Sequence, residues 1–219
     1  MTAAMPLAAA LAGVPAGVQA FGPWAGRRQL FVRFAGEAET ATMYLAPALI
    51  REIQRQLKRS AFHSIVISGR DPLGSVAFLV AALDGVRPSI PVMLDTDGLR
   101  PEELSGLLPH LALVQVTVEF TGSEAALDEA IASVKAAAAG QVPHALVLVP
   151  REDTTDSMIL RLVEGAHAAS AAVQVVIHPP AGENPSVLDR RWATLLEQVM
   201  AVHPDARLAM RVPPPTGLR

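Results

Sequence analysis

The chain has 219 residues, of which 51% are apolar and 18% charged, with a net charge of -3. That length and apolar content specify one packed domain and exclude disorder, and the charge balance gives nucleic-acid binding no support. No cysteine is present, which excludes disulfides, thiolate zinc sites, cysteine nucleophiles and cysteine-ligated iron–sulfur clusters.

Residues Met1 to Val18 are rich in alanine, with Leu, Gly and Pro. No basic stretch precedes them, as a signal peptide requires, and no apolar run reaches the ~18 residues of a membrane span. Residues 1–17 are therefore expected to be a flexible segment, loose or packed at an edge, of a cytoplasmic protein without a membrane partner. Leu30 to Phe34 reads as a strand. Tyr44 to Lys58 reads as a helix, with Leu45, Leu49, Ile50, Ile53 and Leu57 at helical spacing. The basic residues from Arg51 to Arg59 fall on that helix and read as its solvated face. Ser64 to Ile67 is a buried strand, followed by a helix near Val76 to Leu83. Pro91 to Leu94 is the next strand and Pro101 to Leu108 its helix. Leu113 to Val118 follows as a strand. Ser123 is placed to cap a helix, with Glu124 in its first turn and Gly140 at its end. Ala145 to Val149 is a further strand, and Thr154 or Thr155 caps a helix that ends near Ala169. Val173 to Ile177 is a strand, a helix runs from about Val187 to Val202, and Leu208 to Val212 is a candidate last strand.

Continuous Val/Ile/Leu strands alternating with helices predict a parallel sheet in an α/β fold. Six or seven units fit a full or partial (β/α) barrel, with a doubly wound open sheet as the competitor. In both, chemistry belongs at the carboxyl ends of the strands. The residues there are Arg33, Ser68-Gly69-Arg70-Asp71, Asp95-Thr96-Asp97, Glu119, Arg151-Glu152-Asp153 and His178. His178 with neighbouring acids suggests a mixed nitrogen–oxygen metal site. No paired-histidine motif supports one, and a lone His before Pro179 reads more simply as structural. A P-loop, a dinucleotide fingerprint and a G-x-S-x-G elbow are all missing.

Residues 18–36, from Val18-Gln19-Ala20-Phe21-Gly22-Pro23-Trp24 through Gly26-Arg27-Arg28-Gln29-Leu30-Phe31-Val32-Arg33, resemble the opening of the 7-carboxy-7-deazaguanine synthases. These belong to the radical S-adenosylmethionine (SAM) superfamily. In that family a Q-G-E-G turn leads through G-R-x-x-F-V-R to the cluster motif C-x-x-x-C-x-x-C. The aligned positions here are Glu37, Ala41 and Tyr44. Ser68-Gly69-Arg70-Asp71-Pro72-Leu73 resembles the G-G-E-P-L motif that meets the methionine end of SAM. Pro91 to Gly98 resembles P-x-x-L-E-T-N-G, and Leu113 to Phe120 the strand ending D-I-K-L, with Thr117 for Asp and Glu119 for Lys. The tail from Val202 resembles the last strand, with Pro213-Pro214-Pro215-Thr216 in place of P-Q-x-H.

The resemblance spans about residues 18 to 215. It implies a partial (β/α) barrel of about six parallel strands and a single radical-SAM-like domain over 18–219. The resemblance further implies a dimer, either a homodimer or a heteromer with a related subunit. With all three ligands replaced, no cluster and no resident cofactor or metal is expected. Radical chemistry is not expected either. Gln19 and Arg33 match substrate-contacting positions, and Phe21 replaces the Glu of the turn. Arg70 is expected to fill the space of the cluster or to pair with Asp71 or Asp95. Glu119 is expected to compensate the charge that Arg70 adds. The candidate ligand-binding residues are Gln19, Arg33, Ser68, Gly69, Arg70, Asp71, Asp95, Asp97, Glu119 and His178. The functional expectation is a catalytically inactive homologue acting as a partner or scaffold subunit. The alternatives are a module binding SAM, a pterin or a deazapurine, or a cluster-independent enzyme on the same rim.

Overall fold

Seven apolar runs become parallel strands in chain order: β3 (Arg28–Phe34), β5 (Ser64–Gly69), β6 (Val92–Thr96), β7 (Leu113–Val118), β8 (His144–Leu148), β9 (Gln174–Ile177) and β10 (Arg207–Leu208). They are seen in a computed structural model that describes residues 7–180 and 190–210. Each strand pairs with the next, from β3 with β5 (Leu30 opposite Ile65) to β9 with β10 (Ile177 opposite Leu208). Most of the crossovers carry helices: α2 (Val76–Val86), the short α3 (Pro101–Leu104), α4 (Glu124–Ala139), α5 (Asp156–Ala169) and α6 (Arg190–Val202). The helix α1 (Ala46–Arg59) precedes β5.

A sheet whose parallel strands follow chain order is wound in one direction only. Right-handed crossovers then place every helix on the same face. Alternation along the strands agrees. Leu30, Val32, Ile65, Ile67, Leu94, Val114, Val116, Leu146 and Ile177 share one large core with helix residues such as Leu49, Phe78, Leu127, Leu162 and Trp192. The residues between them form two small clusters on the other face. Val66, Met93 and Leu113 pack with Trp24 and Phe31, while Ala145, Val147 and Val149 pack with Phe21. A doubly wound sheet would have helices on both faces, so that competitor is excluded. The fold is α/β, an open, singly wound partial barrel.

Three differences from expectation have simple causes. First, residues 8–18 do not form a loose segment. β1 (Ala8–Gly13) and β2 (Ala16–Val18) run antiparallel along the free side of β3. The alternation that earns this place is short: Ala9 and Leu11 point into the core while Ala8 and Ala10 stay exposed. Second, the first helix starts two residues later than its periodicity suggests. Thr42–Leu45 is β4, which pairs with β1 and forms one end of the sheet. Third, the Pro101 helix stops at Leu104, and Leu108–His110 is a separate 3-10 turn.

The capping predictions hold in position more than in bonding. Thr155, not Thr154, caps α5, accepting from Met158 N at 3.4 Å. Ser123 stands at the N-cap of α4 without a side-chain cap bond. The start of the helix expected from Val187, the end of the strand expected to Val212, and Pro213 to Thr216 lie outside the described residues.

Candidate functional site

Among the described residues the concave face has no helices over it and is covered by the loop between β2 and β3. Its neck is closed by Gln19 N donating to Arg27 O at 3.0 Å and Gly26 N donating to Gln19 O at 2.9 Å. Phe21 and Trp24 then lie over the two apolar clusters. Phe21 meets His178 edge-on at 5.9 Å, and Trp24 meets His63 edge-on at 4.9 Å. Between them Gly22 has φ +83°, and a Cβ there would stand 2.0 Å from Gln115 Oε1. Only glycine fits both the dihedral and the approach. Gly22 N–H donates to His178 Nε2 at 3.0 Å. That bond requires a lone pair on Nε2, which assigns the ring proton to Nδ1.

Beside this loop, at the carboxyl ends of β5, β6 and β7, lies a cavity of about 370 Å³. Its wall includes Phe21, Gly69, Asp95, Thr117, Glu119 and Phe120. Gly69 has φ +95°, and a Cβ would collide with Phe34 O at 2.1 Å, so the backbone itself forms the wall there. Phe120 holds φ +55°, an unusual conformation for a bulky side chain.

Asp95 and Thr117 project from neighbouring strands into this corner. Thr117 Oγ1 donates to Asp95 Oδ1 at 2.6 Å and accepts from Gln115 Nε2 at 3.2 Å. Asp95 keeps partial exposure toward the cavity, yet its carboxyl is packed round by protein. That desolvation pushes its pKa up from 3.8 to about 6. Hydrogen bonds from Thr117, Gln115 and Gln19 pull the other way, and the Glu119 carboxylate adds to the rise.

The candidate residues from the sequence divide into two groups. Gly69, Asp95, Asp97 and Glu119 line the cavity, and the buried Gln19 reaches Asp95 from the loop. Ser68 stands opposite Arg33 at the end of β5. The rest are engaged elsewhere. Arg33 pairs with Glu39 at 2.5 Å on an exposed surface, so it forms no clamp at the cavity. Arg70 pairs with Glu37 at 2.7 Å, both exposed. It neither fills a core space nor pairs with Asp71 or Asp95, so Glu119 has no Arg70 charge to compensate. Asp71 accepts from Arg100 Nε at 2.8 Å and from Gly74 N at 3.1 Å. His178 is fully buried beneath the loop rather than standing on the rim. Glu37 and Ala41 are exposed, while Tyr44 lies in β4 opposite Ala9, with β1 between it and β3.

Gln115 and Phe120 escaped the sequence reading. The signal for Gln115 was a polar residue in the middle of an apolar strand, Leu113–Val118, where it is fully buried. Arg151, Glu152 and Asp153 line an adjoining opening shared with Glu119. Among the described residues no group of three His, Asp or Glu is arranged to hold a metal ion, and no helix is long and apolar enough to cross a membrane.

No family model matches the chain, and no curated protein matches it. Among solved structures it is similar to a truncated form of 3-deoxy-D-arabino-heptulosonate 7-phosphate synthase from Thermotoga maritima. The identity is 12% and the TM-score 0.41 over 75% of this chain. The chain spans 58% of that structure's length. The fold description rests instead on strand order, pairing and the single helix-covered face.

Proposed function

We propose that this chain is a catalytically inactive relative of the radical SAM 7-carboxy-7-deazaguanine synthases that keeps a small-molecule binding site at the carboxyl ends of β5, β6 and β7. The observation that carries this reading is the cavity over Asp95. Gly69, Asp95, Thr117 and Glu119 come from three separate stretches of the resemblance, and all line it. Gln19, from a fourth, lies beside Asp95 and favours its charged form. A concave site at strand ends with a desolvated carboxyl is the usual character of a ligand site. The presence of Glu37, Ala41 and Tyr44 where the family has its cluster cysteines supports the loss of cluster chemistry. The test is calorimetry with SAM, pterins and deazapurines on the native chain and on an Ala126→Trp variant, whose new ring fills the cavity from α4. Saturable binding that the variant abolishes is expected. Flat titrations, or binding that ignores the variant, overturn the reading.

A partner-subunit role is favoured by a different observation. On the β1–β4 end of the sheet, Met43 and Leu45 are exposed, with Ala10 and Ala8 opposite them on the same face. An exposed apolar edge is a site for pairing with another chain. Sedimentation of the native chain against a Met43→Glu variant tests it. Association that the new charge abolishes supports this role, and a monomer in both removes self-association.

A further inference from the structure

We infer that the cavity over Asp95 takes an organic cation, a small amine whose ammonium group is partnered by Asp95 and whose carbon skeleton lies against Phe21 and Phe120. This rests on the reading of the cavity as a binding site and adds its ligand class.

The first argument is charge. The lining includes Asp95, Asp97 and Glu119 and no Lys, Arg or His. The basic residues at or near the rim are already paired: Arg33 with Glu39, Arg70 with Glu37, Arg100 with Asp71, and Arg151, in the adjoining opening shared with Glu119, with Asp153 at 3.6 Å. A phosphate or carboxylate ligand would enter a field of its own sign with no cation in the lining to receive it.

The second argument is the state of Asp95. Its bonded partner Thr117 and the neighbouring Gln115 and Gln19 are all neutral donors. They fix the orientation of the carboxyl without neutralising it. A charge taken out of water is normally matched by an opposite one, and among the described residues no cation pairs with Asp95. An ammonium entering from the cavity provides that match, and its own N–H groups bond the carboxylate oxygens.

The third argument separates an organic cation from a metal. The carboxylates are spread along a cavity of about 370 Å³, and no three of them are arranged to hold one ion. A cation with a carbon skeleton spans such a space, and a bare divalent ion does not. Aromatic residues in the same wall suit an alkylammonium, which is attracted to ring faces as well as to charge. The cavity is of a size that holds a small organic molecule.

The test uses the full chain and charged and neutral probes matched in shape. Putrescine and phenethylamine are titrated calorimetrically, with 1,4-butanediol and 2-phenylethanol as their uncharged counterparts. At least one amine is expected to bind with a dissociation constant below about 1 mM, and its alcohol about tenfold or more weakly. Asp95→Asn is expected to weaken the amine about tenfold or more without loosening the fold, with a thermal melt as the control, while leaving the alcohol unchanged. Glu119→Gln, an exposed position with little bearing on folding, is expected to weaken the amine by a smaller factor. Alcohols that bind as well as amines, and are blocked by Ala126→Trp, overturn the cation assignment and leave the binding site standing. Amines that fail to bind, or that bind equally to Asp95→Asn, overturn the assignment outright. The cavity itself is rejected only if the wider panel of SAM, pterins and deazapurines also gives flat titrations.

Discussion

Replacing Asp95 with asparagine should make the protein more stable at neutral pH. The carboxyl pKa is raised from 3.8 to about 6 in the fold, chiefly by burial. Ionising it therefore costs the folded state about 3 kcal/mol more than the unfolded chain, at about 1.4 kcal/mol per pH unit. The sign follows directly. Below the unfolded pKa the group is protonated in both states and imposes no cost. As pH rises through about 6 the fold is obliged to hold a buried charge, and that stability is lost. The Asp95→Asn substitution would remove the cost. The new amide would also face one of the donors from Gln115 or Gln19, forfeiting about 1 kcal/mol. The net gain at about pH 7.5 is about 2 kcal/mol, or roughly 4–8 °C in melting temperature for a chain of this size. At about pH 4 only the lost hydrogen bond remains, so the variant should be level with the native chain or slightly weaker. Urea unfolding followed by circular dichroism at both pH values measures this. A variant that is less stable at about pH 7.5, or shifted equally at both, would refute the account of Asp95 as a desolvated carboxyl. A residue that costs stability at neutral pH is one the fold does not need, which is why its partners and its cavity point to a ligand.

Three other perturbations test separate parts of the structure. Gly22→Ala places a methyl against Gln115 Oε1 at a φ of +83°. It should lower stability by about 3 kcal/mol in urea unfolding, and a neutral result would contradict the seating of the loop. The triple variant Glu37→Cys, Ala41→Cys, Tyr44→Cys should acquire no iron–sulfur chromophore on anaerobic reconstitution, because Tyr44 is held in the pairing of β4 with β1, opposite Ala9, and is not free to turn toward the other two. A stable cluster would show that these positions can meet. His203, after α6, stands with its Nδ1 3.0 Å from His167 Nδ1 at the end of α5, and burial followed by the neighbouring His167 lowers its pKa. Stability from this group is present above its unfolded value of 6.5 and lost as pH falls below it. Melting temperature should therefore drop on acidification through that range, and His203→Gln should flatten the drop.

Much of the architecture was legible in the linear order of residues. A run such as Ser64 to Ile67 has too few residues for a helix and no polar alternation, and it became a strand buried on both faces. Helical spacing at Leu49 and Ile53 gave α1, since positions four apart share one helix face. These are local regularities, fixed by the geometry of three to seven neighbouring residues. The absence of cysteine settled the fate of thiolate-ligated clusters without any coordinates. The candidate residues at strand ends were likewise placed by pattern, and four of them, Gly69, Asp95, Asp97 and Glu119, share one cavity.

What the sequence left open were encounters between residues far apart in the chain. Gly22 and His178 are 156 positions apart, and nothing near either announces the bond between them. Arg70 had acids beside it at Asp71 and across the rim at Asp95, yet it pairs with Glu37 while Asp71 goes to Arg100. Such choices depend on where loops end in three dimensions and on which exposed charges lie within reach, and local spacing carries neither. The alanine-rich start looked featureless because Ala8 to Gly13 becomes a strand only when β3 and β4 stand on either side of it. A strand's hydrogen bonds are made with other segments, whereas a helix makes its own. For that reason the sequence by itself determined which segments are strands and helices, and only the tertiary structure decided which polar groups meet at Asp95.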